Sequence, residues 1–231
     1  MSKYKGTTTL EVLKDAHHYN NWIASNFIRK IEEPIIEIGS GTGNLSTFFI
    51  HQGIHLTDVD YDLVQKLKKR FGKKGISASQ LNISHSISSK QKGKYRSVLS
   101  INVLEHIEND ERALVHMNQL LKKNGKLLLL VPSQKFAYTK LDKLLGHFRR
   151  YSKSELRQKV EKAGFEIEEL YAFNIVGLLS WLVRAAVDPN NHQLNPKHVA
   201  VFDSIVPILR VLESIIKPPV GVSFIVIARK K

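Results

Sequence analysis

Three glycines at alternate positions, Gly39, Gly41 and Gly43, follow the short apolar run Ile35-Ile36-Glu37-Ile38. A turn of this kind lets a ligand lie against bare main chain, because glycine has no Cβ to hold it off. The segment that follows, Asn44 to Ile50, reads as a helix whose first N–H groups favour a negative group on that ligand. A second apolar run, Ile54 to Thr57, ends in Asp58. A carboxylate at the tip of the second strand of a doubly wound sheet is placed to hold the two hydroxyls of a ribose, with Asp60 in reserve. The other chemically loaded stretch lies far along the chain, Gly146-His147-Phe148-Arg149-Arg150-Tyr151, with Asp142 shortly before it.

The elements needed to position these residues are legible as alternating strands and helices. Strands are expected at Ile35–Ile38, Ile54–Thr57, Gly75–Ala78, Ser97–Ile101 and Gly125–Pro132, the last apolar enough to be buried on both faces. Helices are expected at Tyr61–Phe71 and Asp110–Lys123, the latter closed by Asn124-Gly125 as a left-handed cap. His85 to Lys94 reads as an exposed loop and Ser133 to Tyr151 as irregular chain. A capping-box pattern, Ser152-x-x-Glu155, starts a helix running to Ala163-Gly164, and Phe165 to Tyr171 is a strand. Ahead of the sheet, Leu10, Leu13, Ala16, Tyr19, Ile23, Phe27 and Ile31 recur at helical spacing, so Tyr19, Asn20 and Trp22 sit where a helix could close over a ligand. Alternation of this kind predicts an α/β fold with a doubly wound parallel sheet and right-handed crossovers. The chain divides into a helical cap (10–31), a core of sheet and helices (34–173), a helical insertion (174–219) and a last strand (220–229), all in one domain. Within the insertion, Asn174–Val187 and Ala200–Ile216 are apolar helical segments, with Pro207 a kink or a start in the second.

Composition narrows the class. The 231 residues contain no cysteine, which excludes disulfides, thiolate metal sites and a thiol nucleophile. The first residues carry no secretory pattern and no run is long enough to span a bilayer, so the expected location is cytoplasmic, with peripheral membrane contact as the alternative. Lysine and arginine number 35 against 21 acidic residues, for a net charge of +14. That balance suits an anionic partner, whether a membrane surface, a phosphorylated substrate or nucleic acid, and it also suits a plain solvated surface.

The pattern Glu37-x-Gly39-x-Gly41-x-Gly43 resembles the first motif of class I S-adenosylmethionine-dependent methyltransferases. A nicotinamide-binding turn needs its last glycine where Asn44 stands. The resemblance implies that Gly39, Gly41 and Gly43 pass close to the methionine part of S-adenosyl-L-methionine, that Glu37 belongs to the same site and that Asp58 chelates the ribose. The family usually has an acid after the third strand to accept from the adenine amine; here Asn82 stands there, and its carbonyl can still accept. Asn102-Val103-Leu104-Glu105-His106 resembles the fourth motif, where Asn102 would wall the cofactor. The Gly-His-x-Arg-Arg-Tyr stretch resembles a subgroup of the methyltransferase domain 11/12/23 set, often encoded among glycan and glycolipid genes. The likeness runs from about Tyr19 to the end of the chain, and it implies a three-layer, doubly wound, seven-stranded and mostly parallel sheet with an antiparallel last strand.

Methyl transfer from a sulfonium is an in-line displacement, so the protein mainly aligns the acceptor. A hydroxyl acceptor must also lose a proton, which suits histidine. His147 is the expected general base, with Asp142 to orient it or bind acceptor hydroxyls, and His106 second. Arg149 and Arg150 would pair with an anionic group of the acceptor, and Tyr151 and Tyr19 would line its pocket. No metal-ligand cluster stands out, although acids and histidines near the pocket leave one open. The insertion could be a lid gripping a lipid-like acceptor through Arg184, Arg210 and Lys217, or could pack on the sheet or on a second copy. The expected activity is methyl transfer to an oxygen of a small-molecule or lipid- or glycan-linked acceptor. The alternatives are an RNA methyltransferase, which the lack of proline and aromatic after Asn102 disfavours, and an inactive cofactor-binding protein at a membrane.

Overall fold

A computed structural model describes residues 12–50, 53–188 and 195–231. The seven strands are β1 (Ile35–Ile38), β2 (Ile54–Asp58), β3 (Ser77–Gln80), β4 (Tyr95–Ile101), β5 (Leu121–Pro132), β6 (Phe165–Phe173) and β7 (Ser223–Lys230). They form one sheet in the order β3-β2-β1-β4-β5-β7-β6. Neighbours from β3 to β5 are parallel, while β7 lies antiparallel between β5 and β6. Order reverses beside β1, so a crevice opens at the carboxyl ends of β1 and β4.

Each face of the sheet carries its own core. Along β5, Leu127, Leu129 and Val131 join one cluster and Leu128 and Leu130 the other, as a strand buried on both sides requires. On the first face lie α3 (Asp110–Leu120) and α5 (Lys153–Lys162); on the second lie α1 (His17–Ser25) and α2 (Tyr61–Phe71). Helix α2 follows from its sequence. Leu63, Val64, Leu67 and Phe71 are its buried stripe, Asp60 caps it by accepting from the N–H groups of Asp62 and Leu63, and Lys68, Lys69 and Arg70 suit its carbonyl end. Asp60 is thus a helix cap. The Leu10 end of the expected N-terminal helix lies outside the described residues.

Several local expectations need correction. Helix α3 stops at Leu120, because its last carbonyls are met from outside: Gly93 and Lys94 N–H donate to Gln119 and Leu120, and Lys230 Nζ to Asn118 and Leu121. Leu121, fully buried, pairs with Tyr95 in the sheet, and Asn124 takes its left-handed φ of 63° within β5 and not as a helix cap. The stretch 133–151 is not irregular throughout. It contains α4 (Lys140–Leu145), which begins in a capping box between Thr139 and Asp142 and ends on Gly146 at φ 84°. At Ser152 only half of a box forms. The serine accepts from Glu155 N–H, while the Glu155 carboxylate turns to Lys135 and Lys159. The element after the glycine turn is a short 3₁₀ helix, Leu45–Phe49.

The insertion consists of α6 (Ile175–Val187) and α7 (Pro196–Ile216), with Pro207 inside α7. Val206 packs into the second core, with Phe202 and Leu209 against it. Two carboxylates on α7 pin it. Asp203 accepts from the N–H groups of His18 and Tyr19 at the start of α1, and Glu213 from those of Asn174 and Ile175 at the start of α6. Both helix starts gain an anion where their N–H groups lack partners. No described helix is long and apolar enough to cross a membrane.

Candidate functional site

A cavity of about 1200 Å³ opens at the carboxyl ends of the parallel strands. From β2 it takes Asp58 and Val59, from the chain after β3 Leu81 to Ser84, from the β1 turn Glu37 to Thr42, and from the end of β4 Asn102, Val103, Glu105 and His106. Its far side is closed by Leu141, Leu145, His147 and Arg150 and by the insertion, and Tyr19 and Asn20 come from α1. Trp22 packs inside the core, 4.5 Å from Phe173 between ring centroids. This is room for a cofactor and an acceptor side by side.

The glycine turn is built differently from the expectation. Gly39, Gly41 and Gly43 all have positive φ, at 71°, 56° and 77°. A Cβ on Gly39 would overlap the methyls of Val103, and one on Gly43 would stand 2.5 Å from the Phe71 ring. The protein's own packing therefore requires glycine at those two positions, whatever the ligand requires. Gly39 and Gly41 border the cavity, and Gly43 does not. Thr42 also borders it and has a buried hydroxyl oxygen with no partner, as expected of a wall that receives a polar ligand.

Asp58 holds the turn together, its two oxygens accepting from Gly41 N–H at 2.8 Å and Asp60 N–H at 2.9 Å. Burial raises its pKa. A carboxylate has lone pairs left for a diol after two such bonds. Glu37, buried beneath the turn, accepts from Ser46 Oγ at 2.5 Å, and burial pushes its carboxyl up to about 7. Asn82 accepts from Ser84 N–H at 3.0 Å with its side-chain oxygen, and Asn102 takes φ 53° at the strand tip.

The opposite wall joins two segments that are distant in sequence. Phe148 N–H donates to Glu105 O, clamping the chain after α4 onto the 3₁₀ turn Leu104–His106. His147 places Nδ1 2.8 Å from Asp142 Oδ1. The fully buried Asp142 also accepts from Arg150 Nε at 2.8 Å and from Thr139 N–H at 2.9 Å. It therefore fixes the ring and does not meet acceptor hydroxyls. His106 lies edge-on to His147, ring centroids 4.7 Å apart, and donates from Nδ1 to Gly146 O at 3.2 Å. Burial, with His147 beside it, lowers the His106 pKa to about 4. Glu105 is fully buried, and neither oxygen reaches a donor on another residue. Burial pushes it up to about 7, against the pull of His147 and Arg150. Glu105, His106 and His147 each bring one donor atom within 4.8 Å of the others. Sequence reading passed over this cluster and over Glu105 itself; the adjacent acid and histidine just past a strand tip were the available signal.

Two expected acceptor residues lie elsewhere. Tyr151 is core: its hydroxyl donates to Asp110 Oδ2 at 3.0 Å, and burial drives its pKa upward. Arg149 binds Asp110 at 2.9 Å and the Glu108 carbonyl. Burial alone would raise the Asp110 pKa, but the bonds from Lys159, Arg149 and Tyr151 prevail and lower it. Arg150 does border the cavity, its guanidinium 4.4 Å above the Trp181 ring and bonded to Asp142, so it is a wall and not a free anion receptor. Tyr19 is on the wall between Phe173 and Phe202.

Comparison with known proteins agrees with this geometry. Residues 16–170 match a family model described as a methyltransferase domain. A ubiquinone biosynthesis O-methyltransferase from Rickettsia canadensis (strain McKiel) is 29% identical over 175 residues, covering 68% of this chain and 69% of that protein. A non-reducing polyketide synthase from Aspergillus calidoustus is 31% identical over 112 residues, 44% of this chain, which spans 4% of the synthase's length. Among solved structures, a SAM-dependent methyltransferase from Thermotoga maritima superposes with a TM-score of 0.66 at 16% identity, over 99% of this chain and 98% of that one, a likeness of fold.

Proposed function

The chain belongs to the methyltransferase domain family and takes S-adenosylmethionine as its cofactor, and on that premise we propose that it transfers the methyl group to an oxygen of a small-molecule or lipid-linked acceptor. S-adenosylmethionine supplies a methyl group already activated on sulfonium, so the chain's own work is placement and proton handling. In this reading Gly39 and Gly41 face the methionine part, Asp58 holds the ribose diol, Asn82 lies by the adenine and Asn102 walls the site. Val103, packed on Gly39, fixes the cofactor floor relative to the next strand tip.

The observation that carries the oxygen assignment is the His147–Asp142 pair, 2.8 Å apart in the cavity wall. Because the buried Asp142 occupies Nδ1, Nε2 is the nitrogen turned to other work. An amine acceptor could shed its proton to water, whereas an alcohol or phenol needs a group that handles the proton, and His147 is where that happens. The lipid-linked part of the reading draws on the insertion. Leu179, Ile208, Val211 and Ile215 are exposed on the insertion, within a chain of net charge +14, which suits an anionic lipid surface.

The test is transfer of labelled methyl from the cofactor to fractionated cell extract and to simple phenols, alcohols and amines. Label in an ether of a hydroxylated small molecule or lipid is the expected result. Label confined to amines or RNA overturns the oxygen assignment.

A further inference from the structure

We propose that Glu105 selects the acceptor: its buried carboxylate receives a second hydroxyl, on the carbon next to the one that bears the methylated oxygen, so the acceptor is a vicinal diol. The proposal rests on the reading above that an acceptor hydroxyl is brought to His147. It leaves the proton with His147 and gives Glu105 a binding contact that sets specificity.

Glu105 lines the cavity and is fully buried, yet neither carboxyl oxygen has a hydrogen-bond partner on another of the described residues. A carboxylate taken out of water is ordinarily paired or hydrogen-bonded. The groups around it are committed elsewhere. Arg150 is close enough to pull the Glu105 pKa down, but its guanidinium donates to Asp142 and to the Ser133 carbonyl and lies over the Trp181 ring. His147 turns Nδ1 to Asp142. The Glu105 main chain is itself fixed, its carbonyl accepting from Phe148 N–H. The donor that completes this carboxylate therefore comes from what fills the cavity.

The spacing defines that donor. A carboxylate oxygen of Glu105 stands within 4.8 Å of a ring nitrogen of His147. At about 2.7–2.9 Å per hydrogen bond, two hydroxyls on adjacent carbons bridge that gap with both bonds made. One hydroxyl could reach both groups, but it has a single proton, and that proton goes to His147. An ionised carboxylate only accepts, so a second O–H is required. A hydroxyl suits the corner better than an ammonium, because Arg150 and the imidazolium formed on His147 would repel another cation. Burial pushes Glu105 up to about 7, and a bond from the diol favours its ionised form. In the reaction the first hydroxyl gives its proton to His147 and its electron pair to the methyl carbon as that carbon leaves sulfur. The second keeps its O–H bond, directed at Glu105.

Protein loaded with S-adenosylhomocysteine is titrated by calorimetry with catechol, resorcinol and phenol. Catechol, whose hydroxyls are adjacent, should bind about 10–100-fold more tightly than either of the others, the worth of a hydrogen bond to a charged group. Transfer of labelled methyl should show the same preference in kcat/KM. Glu105→Leu should abolish the preference and leave phenol bound at least as well as before. Glu105→Gln keeps the shape and one acceptor oxygen, and should cut the preference to about threefold to tenfold. S-adenosylmethionine affinity within about threefold of the parent reports that each variant is folded. A carboxylate with a purely structural role would move all three phenols together. Equal binding of the three by the parent protein, binding of none, or a preference that survives both substitutions overturns the assignment. The two proposals fail separately. A Glu105-dependent preference for catechol with label entering only amines or RNA sinks the oxygen reading alone. Methylation of hydroxyls indifferent to an adjacent hydroxyl sinks the role of Glu105 alone.

Discussion

The two walls of the cavity are made in different ways. The cofactor wall is local: β1, its turn and the tip of β2 lie close together in sequence, and the bonds that shape it run mainly from main-chain N–H groups to Asp58. The acceptor wall is long-range. Its centre is Asp142, which draws His147, Arg150 and Thr139 to one buried carboxylate, with Glu105 and His106 arriving from β4. A wall made of backbone can hold a common cofactor with few side chains. A wall made of buried charges can place a proton-handling group accurately but depends on every partner being present.

The contrast can be broken or sharpened by experiment. If the walls act separately, His147→Ala should lower kcat/KM by ~10²–10⁴-fold while leaving the S-adenosylmethionine dissociation constant within about threefold. Steady-state kinetics beside calorimetry checks this, and a parallel loss of cofactor affinity would mean that the walls are coupled.

The next effect is one of stability, on the cofactor wall. Glu37 has a folded pKa of about 7 against an ordinary 4.5, so its carboxyl is protonated in both states below pH 4.5. As pH rises towards 7 the unfolded chain releases this proton and the folded one keeps it. Stability present at low pH is thus lost through that window, by about 3 kcal/mol for this one group at ~1.36 kcal/mol per pKa unit. Denaturant melts from pH 4.5 to 8 should show Glu37→Gln lacking this share of the fall. An unchanged slope would remove Glu37 as its source.

A smaller effect is expected at Asp58. Asp58→Ala removes charge-assisted bonds to the turn and the carboxylate assigned to the ribose, and should weaken cofactor binding by about 2 kcal/mol, roughly 30-fold. Turnover at saturating cofactor should change far less. Calorimetry and a cofactor saturation curve read the two quantities, and a collapse of turnover would show that the turn also sets the acceptor wall. The smallest effect separates packing from chemistry. Tyr151→Phe should cost about 1 kcal/mol of stability, the worth of one hydrogen bond, because Asp110 keeps Lys159 and Arg149. A large loss of turnover in that variant would return Tyr151 to the acceptor pocket.

What could be read from the sequence follows the same division. The strands, the glycine turn and Asp58 at a strand tip follow from short-range patterns, and each such pattern fixes local geometry by sterics and by burial on one or two faces. The amphipathic stripe and Asp60 cap of α2 likewise need no tertiary information. Burial and pairing between distant segments were not legible. The spacing of Asp142 and His147 suggested a contact, but nothing near them in sequence could tell that Tyr151 would sink into the core and Arg149 turn to Asp110. Gly43 matched a motif as a ligand contact, yet only the position of Phe71 shows it to be a packing requirement. The Glu105, His106 and His147 cluster exists because one backbone bond, Phe148 N–H to Glu105 O, clamps two loops together. Sequence determines which groups are available and the local shapes that carry them. Only the closed structure decides which groups lose water and which partners they gain, and for a charged side chain that exchange sets both its energy and its role.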